Sequence, residues 1–214
     1  MSGATRRDGE RAVPRGEGRE SILQAATELM LTERMSSVSH RSVAARANVS
    51  VALIRYHFST RSALLLACVQ RLMEARHARA QSLVKRGSPD LTDLECGRLL
   101  VGAYAGPDPS DDGLAATLGC LIDSAREDES LAEYLVSQRP LVEGDIREVL
   151  SACGRELRLA TMLAHAIDGA LVSAIVDKQE GLLEQAAESC AAILDLAAGG
   201  GGLPSREMRH RIRF

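Results

Sequence analysis

Residues 39–64 read SHRSVAARANVSVALIRYHFSTRSAL. Four arginines punctuate this run: Arg41, Arg46, Arg55 and Arg61. A guanidinium offers a planar fork of donors that fits a phosphate or the O6/N7 edge of guanine. Between the arginines stand small or apolar residues, Val43, Ala44, Ala47, Val49 and Leu53, which can bring two short helices close together. A second pair with chemical potential is His165 and Asp168, one helical turn apart in an otherwise apolar segment. Neither group has the companions that catalysis needs. There is no HExxH, no glycine-rich phosphate loop and no nucleophile elbow. The five cysteines, Cys68, Cys96, Cys120, Cys153 and Cys190, form no CxxC pair and read as small buried thiols. The sequence therefore predicts a non-enzyme, with no catalytic residue, no cofactor and no metal site.

These side chains must be positioned by helices. Aromatic residues are 2% of the 214, Ala and Leu abound, and no strand pattern occurs, so an all-α fold is expected. Ile22, Ala26, Leu29 and Met30 recur on one helical face. Ser39 is placed to cap a helix that follows, Asn48 to take the left-handed turn conformation, and Ser50 to cap a short helix over about 51–57. Phe58 reads as a buried anchor, and Ser59 or Thr60 as the cap of a long helix to about residue 86. Further helical segments are expected at about 91–105, 113–126, 128–153 (kinked or split at Pro140), 155–179 and 181–198. Gly106-Pro107-Asp108-Pro109 reads as a breaker. The resulting division is a disordered basic arm at 1–18, a helix-turn-helix head at 19–66, a helical body at 67–198 and a Gly/Arg-rich tail at 199–214.

Charge is divided along the chain. Residues 1–80 carry 13 basic and 7 acidic side chains, residues 81–200 carry 9 and 21, and the net charge is −3. A positive head on a negative body points to a polyanionic partner for the head. No apolar run is read as reaching the roughly 20 residues of a membrane helix, and the N-terminus lacks the apolar stretch of a secretory signal. The expectation is a cytoplasmic protein, at the nucleoid when bound to DNA, with no membrane partner.

Residues 19–66 resemble the DNA-binding domain of the TetR (tetracycline repressor) family of transcriptional regulators. The resemblance rests on Arg19, Ile22-Leu23, Ala25-Ala26, Ser39, Val43-Ala44, Ala47, Val49-Ser50, His57-Phe58, Arg61 and Leu64. Four departures stand out: Asn48 replaces the family's turn glycine, Arg55 its tyrosine, Arg61 its lysine and Ser39 its threonine. The resemblance implies an N-terminal three-helix helix-turn-helix domain followed by a C-terminal helical bundle for ligand binding and dimerisation, about nine helices in all. It places Arg41 at a base edge or phosphate, and Ser50, Val51 and Ala52 at base edges. It places Arg55, Tyr56 and His57 on the DNA backbone, and Ser39 and Arg61 on phosphates.

For the body, the resemblance implies a homodimer through residues 155–198 and a small-molecule effector of unknown identity held between helices. Leu100, Tyr104, Ile122, Tyr134, Met162 and His165 are the candidate lining. With Tyr104 and Tyr134 the only aromatics there, an aliphatic or modest-sized effector fits better than a large stacked aromatic. Function is then a repressor released from a near-palindromic operator by its effector. The alternatives are an effector-independent repressor or activator of the same fold, and a helical-bundle enzyme.

Overall fold

The computed structural model describes residues 15–105 and 110–199, and the side chains from Gly18 onward. The expected breaker at 106–109, the first 14 residues of the expected arm and the tail beyond Gly199 lie outside the described residues. Among the described residues there are nine α-helices, two short 3-10 helices and no strand. The α-helices are α1 (Arg15–Glu33), α2 (His40–Ala47), α3 (Val51–His57), α4 (Arg61–Val84) and α5 (Asp93–Tyr104). They continue with α6 (Asp111–Glu127), α7 (Glu129–Ala152), α8 (Ala160–Val176) and α9 (Leu182–Ala197). The chain divides into two compact units after Cys68, and α4 runs on from one into the other.

In the first unit, α1 buries Ile22, Ala26, Leu29 and Met30, the face expected from its periodicity. α1 begins at Arg15, inside the segment expected to be an arm. A proline immediately before Arg15 in the sequence favours that start. A 3-10 turn at Met35–Ser37 follows, and its Met35 is fully buried.

In the second unit, α5 packs against α7, α8 and α9, and α8 also packs on α9. The core centres on Leu100, Val101, Ile146, Leu150, Leu163, Ile167 and Cys190, all shielded from solvent. α5 and α9 approach closely at Gly97, where a Cβ would lie 2.5 Å from the Ala187 carbonyl oxygen. All five cysteines are buried free thiols. Burial pushes Cys190 up to about 12 and Cys120 up to about 11, which suppresses the reactive thiolate.

Of the two outcomes expected at Pro140, the split does not occur: α7 runs on past it. One expectation changes. The stretch Leu157–Val176 is 20 residues long with a mean hydropathy of 1.7, so one helix is apolar enough by length and composition to span a membrane. Arg158, His165 and Asp168 interrupt the run and hide it from a reading by eye. Its Leu163, Ile167, Leu171 and Ala174 are buried in the second unit's core, while Met162, Val172 and Val176 are exposed.

α4 is locked to its neighbours by a buried polar cluster. Arg76 donates through Nη2 to Asp145 Oδ2 at 2.7 Å and through Nη1 to the Ala103 carbonyl at 3.1 Å. His77 Nδ1 lies 2.8 Å from Asp145 Oδ1, and Gln81 Nε2 donates to the same oxygen at 3.2 Å. Arg76 and Asp145 are both nearly fully buried.

Gly97→Ala should overpack the α5–α9 contact and cost about 1–3 kcal/mol of stability. Gly119→Ala on α6, where a Cβ meets open space, should cost nothing and gain up to about 1 kcal/mol in helix propensity. Denaturant melts of the two variants check the contrast.

Candidate nucleic-acid interface and ligand cavity

The helix-turn-helix is built from local hydrogen bonds. Ser39 caps α2 by accepting from the Ser42 N–H at 3.1 Å, while the Ser42 hydroxyl accepts from the Ser39 N–H at 2.9 Å. Asn48 ends α2 in the left-handed conformation (φ 52°, ψ 48°), its N–H bonded to the Ala44 carbonyl. Asparagine adopts this conformation more readily than most residues, which explains how it stands in for glycine. Ser50 then caps α3 by accepting from the Leu53 N–H at 3.1 Å. α3 ends at Phe58, which is buried and donates its N–H to the Ile54 carbonyl at 2.7 Å.

Longer-range contacts fix the two helices together. His40 Nε2 lies 3.0 Å from the Phe58 carbonyl, tying the start of α2 to the end of α3. The Arg19 guanidinium sits 5.3 Å from the centre of the Phe58 ring, a cation–π contact. Ile54, fully buried, is the main apolar plug of α3, while Val49 and Leu53 are only half-buried.

The candidate DNA-contacting side chains separate into two sets. Arg41, Ser50, Ala52, Arg55 and Tyr56 are exposed, Tyr56 by 72%. Val51 and His57 are half-buried, and the His57 ring meets Tyr56 edge-on with centroids 5.1 Å apart. Ser39 and Arg61 are engaged within the fold. The Ser39 hydroxyl holds the capping box, and Arg61 donates through Nε to the Val38 carbonyl at 2.7 Å and through Nη2 to the Met35 carbonyl at 2.8 Å. Arg46 is exposed but already bonded to Glu33 at 2.9 Å. The sequence could not distinguish these bound arginines from the outward-facing Arg41 and Arg55. The surface available to a nucleic acid is thus a short, capped helix with small residues near its start and cations and a phenol beside them. That shape and charge suit entry into a major groove flanked by phosphates.

The second unit holds a cavity of about 320 Å³ lined by residues of α4 to α8. Tyr104, Ile122 and His165 line it, as expected. Leu100, Tyr134 and Met162 are not in the lining. Leu100 is fully buried in the core, Met162 is exposed on α8, and Tyr134 is raised in pKa by partial burial and then by the charge of Glu74. Leu118, Leu121 and Ala125 join Ile122 from α6, and Arg139, Val142 and Glu143 come from α7. Spacings of three and four residues on α6 carried that signal in the sequence. The Tyr104 hydroxyl donates to Asp168 Oδ1 at 2.6 Å. Burial first, and the Asp168 charge second, hold the Tyr104 phenol well above its ordinary pKa. Among the described residues no group of His, Cys, Asp and Glu is arranged to hold a metal ion.

An exposed, doubly capped helix pair of this form defines the helix-turn-helix class of DNA-binding proteins. Residues 22–68 match the family model "Bacterial regulatory proteins, tetR family", so the first unit carries a tetR-family regulatory domain. The whole chain shares its fold with solved structures. A transcriptional regulator from Rhodococcus sp. Rha1 is 22% identical, with a TM-score of 0.66 over 84% of this chain and 96% of that one. A TetR transcription regulator from Haloarcula marismortui ATCC 43049 is 19% identical, with a TM-score of 0.67 over 85% and 98%. A transcriptional regulator from Saccharomonospora viridis, solved in complex with choline, is 18% identical, with a TM-score of 0.67 over 84% and 96%. No curated protein matches the chain. Residues 22–68 thus carry the signature of a tetR-family regulatory domain, and the chain has the fold of these solved regulators.

Arg41→Ala should weaken DNA binding by about 1–3 kcal/mol and relax preference at one base position if its guanidinium reads a guanine. Arg61→Ala should instead lower the melting temperature of the first unit, because it removes two hydrogen bonds to the Met35 and Val38 carbonyls. Binding to randomised duplexes and thermal melts of both variants separate the two roles.

Proposed function

We propose that the protein acts as a homodimer on a near-palindromic operator, represses transcription there, and is released by a small-molecule effector. The observation that carries this reading is the exposed α3 with Ser50, Ala52, Arg55 and Tyr56 outward, beside an exposed Arg41 on α2. In this reading Ser50, Val51 and Ala52 face base edges, Arg41 reads a base or a phosphate, and Arg55, Tyr56 and His57 hold the backbone. Ser39 contributes through the helix start that it caps, and Arg61 through the turn that it braces. The acidic second unit repels DNA and keeps contact confined to the head. The setting is the cytoplasm, at the nucleoid when the operator is occupied.

Dimerisation through 155–198 is supported by the surface of α8. Met162, Val172 and Val176 are exposed large apolar residues, on one side with Gly169 at spacings of seven, three and four. Leu196 on α9 is exposed as well. A Cβ on Gly169 would meet nothing within 4 Å, so a second helix could approach there. Two heads in such a dimer read half-sites about one DNA turn apart.

The cavity of the second unit is the effector site in this reading. Of the expected lining it keeps Tyr104, Ile122 and His165. The choline complex of the Saccharomonospora viridis regulator gives a precedent for a small ligand in a chain of this fold. Effector and operator would each weaken the other's binding by the same factor.

The test is selection of sheared genomic DNA with the purified protein, followed by sequencing. Enrichment of a near-palindrome supports the reading, and absence of any enriched sequence overturns it. Val172→Arg should convert the dimer to monomers in sedimentation analysis, leave the melting of the first unit unchanged, and reduce operator affinity. An unchanged oligomeric state in that variant contradicts the proposed interface.

A further inference from the structure

Asp168 stands half-buried on α8 in the wall of the cavity. Its Oδ1 accepts the Tyr104 hydroxyl at 2.6 Å. Tyr104 is a neutral donor, so this bond orients the carboxylate without neutralising it. No ion pair to Asp168 forms among the described residues. The other charged groups of the wall differ. Glu143 Oε2 accepts from Arg147 Nη2 at 3.1 Å and from the Thr161 hydroxyl at 3.0 Å, so its charge is answered within the fold. Arg139 and His165 are exposed, and the Arg139 charge reaches Tyr104 but forms no ion pair with Asp168. Around Asp168 the cavity is largely apolar, with Met73, Leu118, Ile122, Leu135 and Val142 in its wall.

A half-buried carboxylate with no cation partner is unfavourable in an apolar surrounding, and a ligand cation removes that cost. An anionic ligand would place a second negative charge against the first. Tyr104 is the cavity's one Phe, Tyr or Trp ring among the lining residues, so no aromatic cage forms around a cation. Attraction must come from the carboxylate, and the remaining contact area is aliphatic. A volume of about 320 Å³ sits at the small end of the about 300–1,000 Å³ typical of ligand sites.

We propose that the cavity binds a compact monocationic amphiphile, with its ammonium group against Asp168 and an aliphatic body against α6 and α7. This rests on the cavity being a ligand site. Asp168 is the charge-selecting residue, and Tyr104 positions it.

The probes are alkyltrimethylammonium salts from butyl to decyl and the alkanoates of matching length. Each is titrated calorimetrically into the full chain, and into Asp168→Asn. Asparagine keeps the size of the side chain and an acceptor for Tyr104, and a melting curve confirms that the variant folds. The expected result is that a cation binds the native chain at least about tenfold tighter than its matched alkanoate, the scale of one charge-assisted contact. Asp168→Asn should lose about that factor for the cation alone. The proposal is overturned if no cation in the series binds, if the alkanoates bind as tightly, or if Asp168→Asn leaves cation affinity unchanged. Should the variant not fold, the cation–alkanoate comparison on the native chain decides by itself. Adding the tightest cation to the operator complex is a separate readout. Binding without release of DNA supports the ligand class and refutes the effector reading, whereas release supports both.

Discussion

The second unit is organised around one buried carboxylate. Asp145 collects donors from two successive turns of α4, the Arg76 guanidinium, the His77 ring and the Gln81 amide. Arg76 also reaches the Ala103 carbonyl of α5. A buried ion pair of this kind contributes little net stability compared with a well-packed apolar pair, because both charges lose their hydration. Its value is geometric. An unpaired Asp145 or Arg76 would be a bare charge in the core, so α4, α5 and α7 hold one register or lose the pair. α4 is also the helix that begins in the DNA-binding unit, at Arg61. Its later half is therefore fixed to the same two helices, α5 and α7, that contribute Tyr104 and Glu143 to the cavity.

Arginine plays two opposite parts in this chain. Arg61, Arg76 and Arg155 are drawn inward and donate to backbone carbonyls, and Arg76 and Arg155 donate to carboxylates as well. Five donors in a rigid fork allow one side chain to close several orphan acceptors at a turn or helix end. Arg41 and Arg55 remain outward, where the same fork is free for a phosphate or a base. With 24 of 26 basic residues being arginine, composition alone cannot tell a brace from a contact. The distinction comes from whether backbone carbonyls of another segment lie within reach of the guanidinium.

That is also the boundary of what the sequence made legible. Caps and turns were readable because their chemistry is local. Ser39, Asn48 and Ser50 each act within four residues of themselves, and Thr60 caps α4 by accepting from the Ala63 N–H. Helix faces such as Ile22, Ala26, Leu29 and Met30 followed from period alone. What escaped were pairings between distant segments. Asp145 meets Arg76 across 69 residues, and Arg61 meets Met35 across 26. The cavity shows the same pattern: Tyr104 and His165 stood out as odd residues, but the α6 and α7 wall had no local mark beyond ordinary amphipathicity. Leu100 and Met162 were misplaced because an apolar residue on a helix fits core, cavity or surface equally well until the neighbouring helices are known.

The cavity and the reading head obey opposite electrostatic rules, and this follows from burial. On α2 and α3, arginines stand in water, where a cation is cheap to keep and attraction to DNA is long-ranged and weakened by salt. In the cavity, a half-buried carboxylate on α8 is screened far less, and its effect is confined to whatever occupies the same small space. A cationic ligand therefore has little reason to compete with DNA for the head, and DNA has none to enter the cavity. Within the second unit, the buried Arg76–Asp145 pair holds α4 and α7 in one register, because either partner alone would be an uncompensated buried charge.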